Sequence, residues 1–152
     1  VVVKGWIMTD MHALGVALID RGLACGRRKE MESAVLSLIQ GLGQIDPDKD
    51  PRLTLCAFHN LALFLSELGT LVLARAVLQR AKPLYKRVGD RLMQARATWL
   101  EGTIDRLAGR PVIARRKLRK AQETFEELDL RIADRVEKEL VALKALTDSA
   151  AA

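Results

Sequence analysis

The sequence predicts an all-α fold, a right-handed superhelix of three antiparallel helix pairs closed by a C-terminal capping helix, on three observations. First, the 152 residues are self-similar at an offset of forty. Gly22, Ala62, Gly102 and Ala142 fall in one column, Ala34, Ala74 and Ala114 in a second, Leu38, Leu78 and Leu118 in a third. Gly41, Ala81 and Ala121 form a fourth, and Ile45, Tyr85 and Phe125 a fifth. Small residues recurring at fixed places, with bulky ones between them, mean that one helix pair is built three times and stacked on copies of itself. Second, apolar residues recur with a helical period throughout, and no stretch sustains the alternation of a strand. Third, glycine, proline and aspartate stand where helices must start and stop.

The first repeat covers about residues 9–48, with helices over 9–25 and 29–42 joined across Gly26. Gly41-Leu42-Gly43 has no preceding strand and no following lysine, so it ends the second helix rather than cradling a phosphate. Asp46 to Pro51 then closes the repeat. Asp50 is placed to accept hydrogen bonds from the free amides of the next helix, and Pro51 fits its first position, where the nitrogen needs no hydrogen. The second repeat, about 50–89, pairs 51–68 with 71–87 across Gly69-Thr70. Gly89 takes a left-handed stop and Asp90 caps the next helix. The third repeat, about 90–129, pairs 91–108 with 112–128 across Gly109-Arg110-Pro111. The capping helix covers 130–146. Arg131, Asp134, Arg135, Glu137, Lys138, Glu139 and Lys144 make it more polar than its predecessors, as suits a helix with one face in water. Thr147 to Ala152 are expected to be disordered.

With 49% hydrophobic residues and four prolines, the chain can bury one continuous core as a single domain over 1–152. Its longest uncharged runs, such as 54–66 with His59 and Asn60, fall short of the roughly 20 apolar residues that a bilayer span requires. The opening Val1-Val2-Val3-Lys4-Gly5-Trp6 lacks a methionine, a basic region and a signal cleavage site. It reads as the start of a fragment of a longer cytoplasmic protein, whose preceding helix covers residues 1 to 10. Cys25 and Cys56, in apolar helical stretches, read as reduced thiols. No Cys-x-x-Cys, His-x-x-x-His or carboxylate cluster accompanies them, so no metal or other cofactor is expected. The net charge of +6 is spread over nearly every helix, the pattern of a solubilising surface. Catalysis is hard to assemble from two histidines, His12 and His59, without a Gly-x-Ser-x-Gly elbow, a His-Glu-x-x-His pair, a phosphate loop or a dinucleotide fingerprint.

Within the second pair, Ala62 is followed by Gly69, Ala74 and Ala81, and the third pair keeps the same intervals with Gly102, Gly109, Ala114 and Ala121. These intervals resemble the tetratricopeptide repeat over roughly residues 12 to 146. The first unit is the poorest match, with Lys29 where the turn glycine is expected. The resemblance implies that the small residue of the first helix and the first alanine of the second mark a backbone-to-backbone contact, and that the later alanine meets the next unit. A period of 40 exceeds the usual 34 and is the size found in HEAT-like arrays; the intervals inside the pair favour the tetratricopeptide pattern. The stripe Ala97, Leu100, Ile104 and Leu107 follows Phe58, Leu61, Leu65 and Leu68 by thirty-nine residues instead, which leaves two registers open for Trp99. Asp46 to Arg52, His59 to Ala62, residues 75–90 and Trp99 to Gly102 also resemble the C-terminal region of long bacterial tetratricopeptide-repeat proteins, implying a regulatory or scaffolding setting.

In the resembling family, first helices line the concave surface and residues flanking the small position contact bound peptides. That implies His59, Asn60, Leu63 and Glu67 of the second unit, with Arg96, Trp99, Thr103 and Arg106 of the third, as partner-binding residues. Two of them have a plainer reading, His59 as an interhelical histidine and Trp99 as filler beside Gly102. The family's clamp for peptide tails needs lysine, asparagine and arginine on successive first helices. Only Asn60 and Arg96 suggest it, so an acidic C-terminus is not the expected ligand. A basic cluster, Arg110, Arg115, Arg116, Lys117, Arg119 and Lys120, opens a helix that ends in Glu123, Glu126, Glu127 and Asp129. This order opposes the macrodipole by roughly 0.3 to 1 kcal/mol per exposed charge, although Arg119 can reach Glu123 one turn on. No aromatics interleave the cluster for base stacking. The expected function is therefore a protein-interaction module that holds a peptide or partner domain. The alternatives are nucleic-acid or acidic-partner docking through the basic cluster, and a purely architectural segment.

Overall fold

A computed structural model describes the backbone of residues 2–128 and 132–151, with side chains over 10–128 and 134–150. Seven helices, and no strands, are found among the described residues: α1 (Val2–Arg27), α2 (Met31–Leu42), α3 (Pro51–Glu67), α4 (Leu71–Val88), α5 (Arg91–Leu107), α6 (Pro111–Glu127) and α7 (Ile132–Ala151). The chain divides into two compact units, Val1–Val88 with α1 to α4 and Gly89–Ala152 with α5 to α7.

The aspartate start signals act as their chemistry dictates. Asp50 accepts a hydrogen bond from the Leu53 amide, and Pro51 opens α3. Asp90 accepts from the amides of Leu92 and Met93. The turns inside the three pairs share one closure, in which an amide bonds the carbonyl five residues back: Glu30 to Cys25 at 3.0 Å, Thr70 to Leu65 at 3.0 Å and Arg110 to Asp105 at 2.9 Å. That closure puts the residue before the donor in the left-handed region. Gly69 and Gly109 stand there with φ of 80° and 74°, and Lys29 stands there with φ of 64°.

Two expectations are corrected. Gly26 does not join α1 to α2. It lies buried inside α1, where an added Cβ would collide with the Phe64 ring of α3, and the turn falls at Arg28-Lys29-Glu30. The segment after Thr147 is not disordered, because α7 continues to Ala151. The Thr147 hydroxyl bonds the carbonyls of Leu143 and Lys144, and the alanines beyond it sustain a helix, alanine being the best helix former. Asp129, the expected start of the last helix at Leu130, Arg131 and Ala152 lie outside the described residues.

The repeated columns are the core. In the first unit Ala34, Leu38, Ala62, Ala74, Leu78, Ala81 and Tyr85 are all buried, and in the second so are Ala114, Leu118, Ala121 and Phe125. A Cβ on Gly22 would fall 2.8 Å from Leu38 Cγ, and one on Gly102 would fall 2.9 Å from Leu118 Cγ. The same close crossing is thus built in both units. Val136 and Leu143 of α7 complete the second core against Ala95, Ala114, Leu118, Ala121 and Phe125. Full burial of a side chain the size of leucine or phenylalanine contributes roughly 1.5 to 3 kcal/mol, so these residues hold α7 on α6.

Candidate functional site

The first-helix residues of the two units meet different fates. On α3, His59 points inward. It is 7% exposed and shares a 2.5 Å hydrogen bond through Nδ1 with the hydroxyl of Tyr85 on α4, the rings meeting edge to face. It therefore joins the two helices of its own pair. Asn60 is half-buried and donates to the Cys56 carbonyl one turn back at 2.8 Å. Leu63 is half-buried. Glu67 is exposed, with a carboxylate oxygen 3.7 Å from the Lys29 ammonium.

On α5, Arg96, Trp99, Thr103 and Arg106 follow one another at helical spacing, and three of them converge on a residue of α7. Trp99 donates its indole N–H to Glu139 Oε1 at 3.2 Å, the Thr103 hydroxyl lies 3.4 Å from Oε2, and Arg106 Nε lies 3.8 Å from Oε2. Arg135, one turn before Glu139, sets its guanidinium 5.6 Å from the centre of the Trp99 ring, within the range of a cation–π contact. The indole also packs against the second core. The Trp99 ring faces α7. Among the described residues Arg106 Nε is buried and makes no hydrogen bond, and Arg96 makes no ion pair. This patch therefore sets an indole, a hydroxyl and the Arg106 guanidinium around one carboxylate, with Arg135 over the indole. Glu139 and Arg135 were not among the expected site residues, although Glu139 stands forty residues after Trp99, in its own column.

The basic cluster on α6 divides in two. Lys117 Nζ lies 2.7 Å from Oδ2 of Asp105, which is 3% exposed, and 3.3 Å from Glu101. Arg110 Nε lies 3.8 Å from the other oxygen of Asp105. Partial burial alone would lower the Lys117 pKa. The hydrogen bond to Asp105 and the charges of Glu101 and Asp105 outweigh it and hold the ammonium above its ordinary value. These two cations thus neutralise acids within their own helix pair. The remaining four, Arg115, Arg116, Arg119 and Lys120, make no ion pair among the described residues. With Val112 and Glu123 they line an open depression of about 770 Å³.

Among the described residues no group of three or more His, Cys, Asp or Glu side chains is placed to hold a metal, and no helix is long and apolar enough to cross a membrane. Cys25 and Cys56 form no disulfide. No curated protein matches the chain. The family model described as tetratricopeptide repeat matches residues 53–127, from the first turn of α3 to the end of α6. Tetratricopeptide repeats are in general protein–protein interaction modules and form a non-catalytic repeat family. With its small-residue columns buried at the helix crossings and its pairs closed by the same turn, the segment 53–127 belongs to the tetratricopeptide-repeat family.

Proposed function

We propose that this chain is a protein-interaction module, built as one repeat domain, and that the Arg96–Trp99–Thr103–Arg106 face of α5, with Arg135 of α7, takes an acidic segment of a protein partner. The observation that carries this reading is the state of Arg106 beside Glu139. The patch already holds one carboxylate through an indole N–H, a hydroxyl and the Arg106 guanidinium, and is flanked by Arg96 and Arg135. A guanidinium favours carboxylate partners because its planar fork matches their two oxygens. The ligand is an internal run of Asp or Glu beside an apolar residue that can lie against Trp99. The setting is a regulatory or scaffolding protein of bacteria, as the resemblance implies, and a cytoplasmic one, as the reduced reading of Cys25 and Cys56 suggests.

Peptide-display selection on the chain tests this. Selected peptides are expected to be enriched in acids next to apolar residues. Their affinity should fall at least tenfold in the Arg96→Glu, Arg135→Glu double variant, with unchanged helicity. Enrichment of neutral or basic peptides, or acidic peptides indifferent to the double variant, counts against the site.

A second reading rests on the four uncommitted cations of α6, which offer an anionic partner a separate docking face on the same unit. Replacing Arg116 and Lys120 with glutamine should abolish it without affecting a peptide held by α5.

A further inference from the structure

A cleft of about 420 Å³ opens in the first unit where α3, α4 and the α2–α3 connection meet, with apolar walls from Leu42, Ile45, Phe58, Pro83 and Leu84. Arg80, Pro83, Leu84 and Arg87 line it at helical spacing, so they share one face of α4. The polar side chains on these walls are engaged with one exception. The Thr54 hydroxyl donates to the Asp50 carbonyl at 2.8 Å, and Arg87 donates to a carboxylate oxygen of Asp48 at 2.8 Å and to its carbonyl at 3.2 Å. Arg80 is exposed at the cleft and makes no ion pair among the described residues. The third repeat shows the same place with different walls. Gln94, Thr98, Lys120 and Thr124, forty residues after Thr54, Phe58, Arg80 and Leu84, line a depression of about 180 Å³. There the cation is kept, hydroxyls replace Phe58 and Leu84, and Glu123 takes the position of Pro83. The helix pair thus forms with polar residues at all three places. Pro83 moreover stands inside α4, where a proline forgoes a backbone hydrogen bond and crowds the preceding turn.

We infer that this cleft binds a small amphipathic carboxylate, a molecule with an aliphatic or aromatic body and one acid group. Size, wall chemistry and charge each bear on this. Small-molecule sites are clefts of roughly 300 to 1,000 Å³ with apolar walls and a few placed polar groups, and the cleft in the first unit has that form. A cavity of about 150 Å³ accommodates benzene, so this one admits a body larger than a single ring. The body lies against Phe58, Pro83 and Leu84. The acid group takes the fork of Arg80, whose parallel N–H groups match the two oxygens of a carboxylate. A cationic ligand finds no counter-ion there, because the carboxylate of Asp48 is already held by Arg87. The cleft uses none of the residues that carry the protein-partner reading on α5 and α7.

Calorimetric titration of the chain with octanoate, below its micelle concentration, tests this, with octanol and octyltrimethylammonium as neutral and cationic probes of the same chain length. Octanoate should bind saturably at one site and more tightly than either, and its amide NMR shifts should fall on the cleft residues of α3 and α4. Arg80→Gln, at an exposed helix position, should weaken octanoate by about fivefold or more and leave octanol unchanged. Phe58→Thr with Pro83→Glu, the third repeat's own residues, should keep the helicity and weaken both octanoate and octanol by about tenfold or more. Arg116→Gln with Lys120→Gln should leave octanoate binding as it is. Absence of octanoate binding overturns the inference, as does binding indifferent to Arg80→Gln, matched by the cationic probe, or lost with the α6 variant. Capture at the cleft of peptides bearing an acid beside an apolar residue, without octanoate, also overturns it and makes the cleft a protein contact. None of these variants alters Arg96 or Arg135, so the peptide-binding reading stands or falls separately.

Discussion

Lys29 is the residue at which the chain departs most plainly from its own repeat. It holds φ of 64° where the other two pairs use glycine, and a Cβ in the left-handed region costs roughly 1 kcal/mol or more. Its ion pair with Glu67 spans 3.7 Å between solvated side chains and contributes little. Lys29→Gly should therefore raise stability by about 0.5 to 1 kcal/mol, the gain being reduced by the entropy of an unfolded glycine; a denaturant midpoint that falls would contradict this. At Asp105 the departure concerns charge. The same column holds the buried Cys25 and Leu65, and the neighbouring columns hold Leu61 and Val77 where the third pair has Glu101 and Lys117. Removing Lys117 alone, as in Lys117→Met, takes the 2.7 Å partner from a buried acid, leaves it Arg110 at 3.8 Å, and should destabilise the fold by about 1 to 3 kcal/mol. Installing Glu101→Leu, Asp105→Leu and Lys117→Val together, the second pair's residues, should be neutral or stabilising. The pH dependence has a definite sign. Because the Lys117 pKa is raised in the folded chain, its contribution is complete below the ordinary lysine range and is lost as pH rises through the raised value. The difference in stability between the wild type and Lys117→Met should therefore shrink at alkaline pH and stay constant around neutrality.

At the scale of the helix, the crossings set how much volume each position tolerates. Ala74 and Ala114 are fully buried, and Ala114 presents its carbonyl 3.3 Å from where a Gly102 Cβ would stand. Leucine at either position forces the pair apart and should cost roughly 1 to 3 kcal/mol; thermal midpoints unchanged in both variants would remove the close-crossing account. Helix α7 depends on the same packing plus a polar latch. Trp99 contributes its ring to the second core and its N–H to Glu139. Trp99→Ala should thus lower stability by roughly 3 kcal/mol, whereas Arg96→Ala should leave the melting temperature within error. That difference makes Arg96 the cleaner probe of partner binding, with circular dichroism as the control.

For the molecule as a whole, the formal charge of +6 overstates what is free to act. Lys117 and Arg110 face Asp105, Arg87 pairs with Asp48 at 2.8 Å, and Arg91 pairs with Glu127. Four cations remain together on α6. Binding of nucleic acid there can neutralise at most about four phosphates, so the slope of log affinity against log salt should not exceed roughly 3 to 4 in magnitude. Association should be weak at low salt and vanish near physiological ionic strength. A titration showing submicromolar affinity at about 150 mM salt, lost on replacing Arg116 and Lys120 with glutamine, would make α6 the functional surface.

The sequence by itself determined the helix pairs, their caps and their crossings, because these depend on local chemistry and on residue size at a fixed period. Asp50, Asp90, Gly69 and Gly109 act within a turn of where they stand, and a small residue that recurs every forty positions announces a close approach wherever it falls. The tail after Thr147 departs from expectation because termini usually fray, while here the side chains themselves favour the helix. Only the tertiary structure decided which polar side chains were already engaged. His59 and Lys117 look available in the sequence and are held by Tyr85 and Asp105, since a helix places a side chain on a face without saying what the facing helix carries. The convergence of Trp99, Thr103 and Arg106 on Glu139 is of the same kind. It joins residues thirty-three to forty positions apart, and such a contact exists only once α7 has docked on α6 and α5.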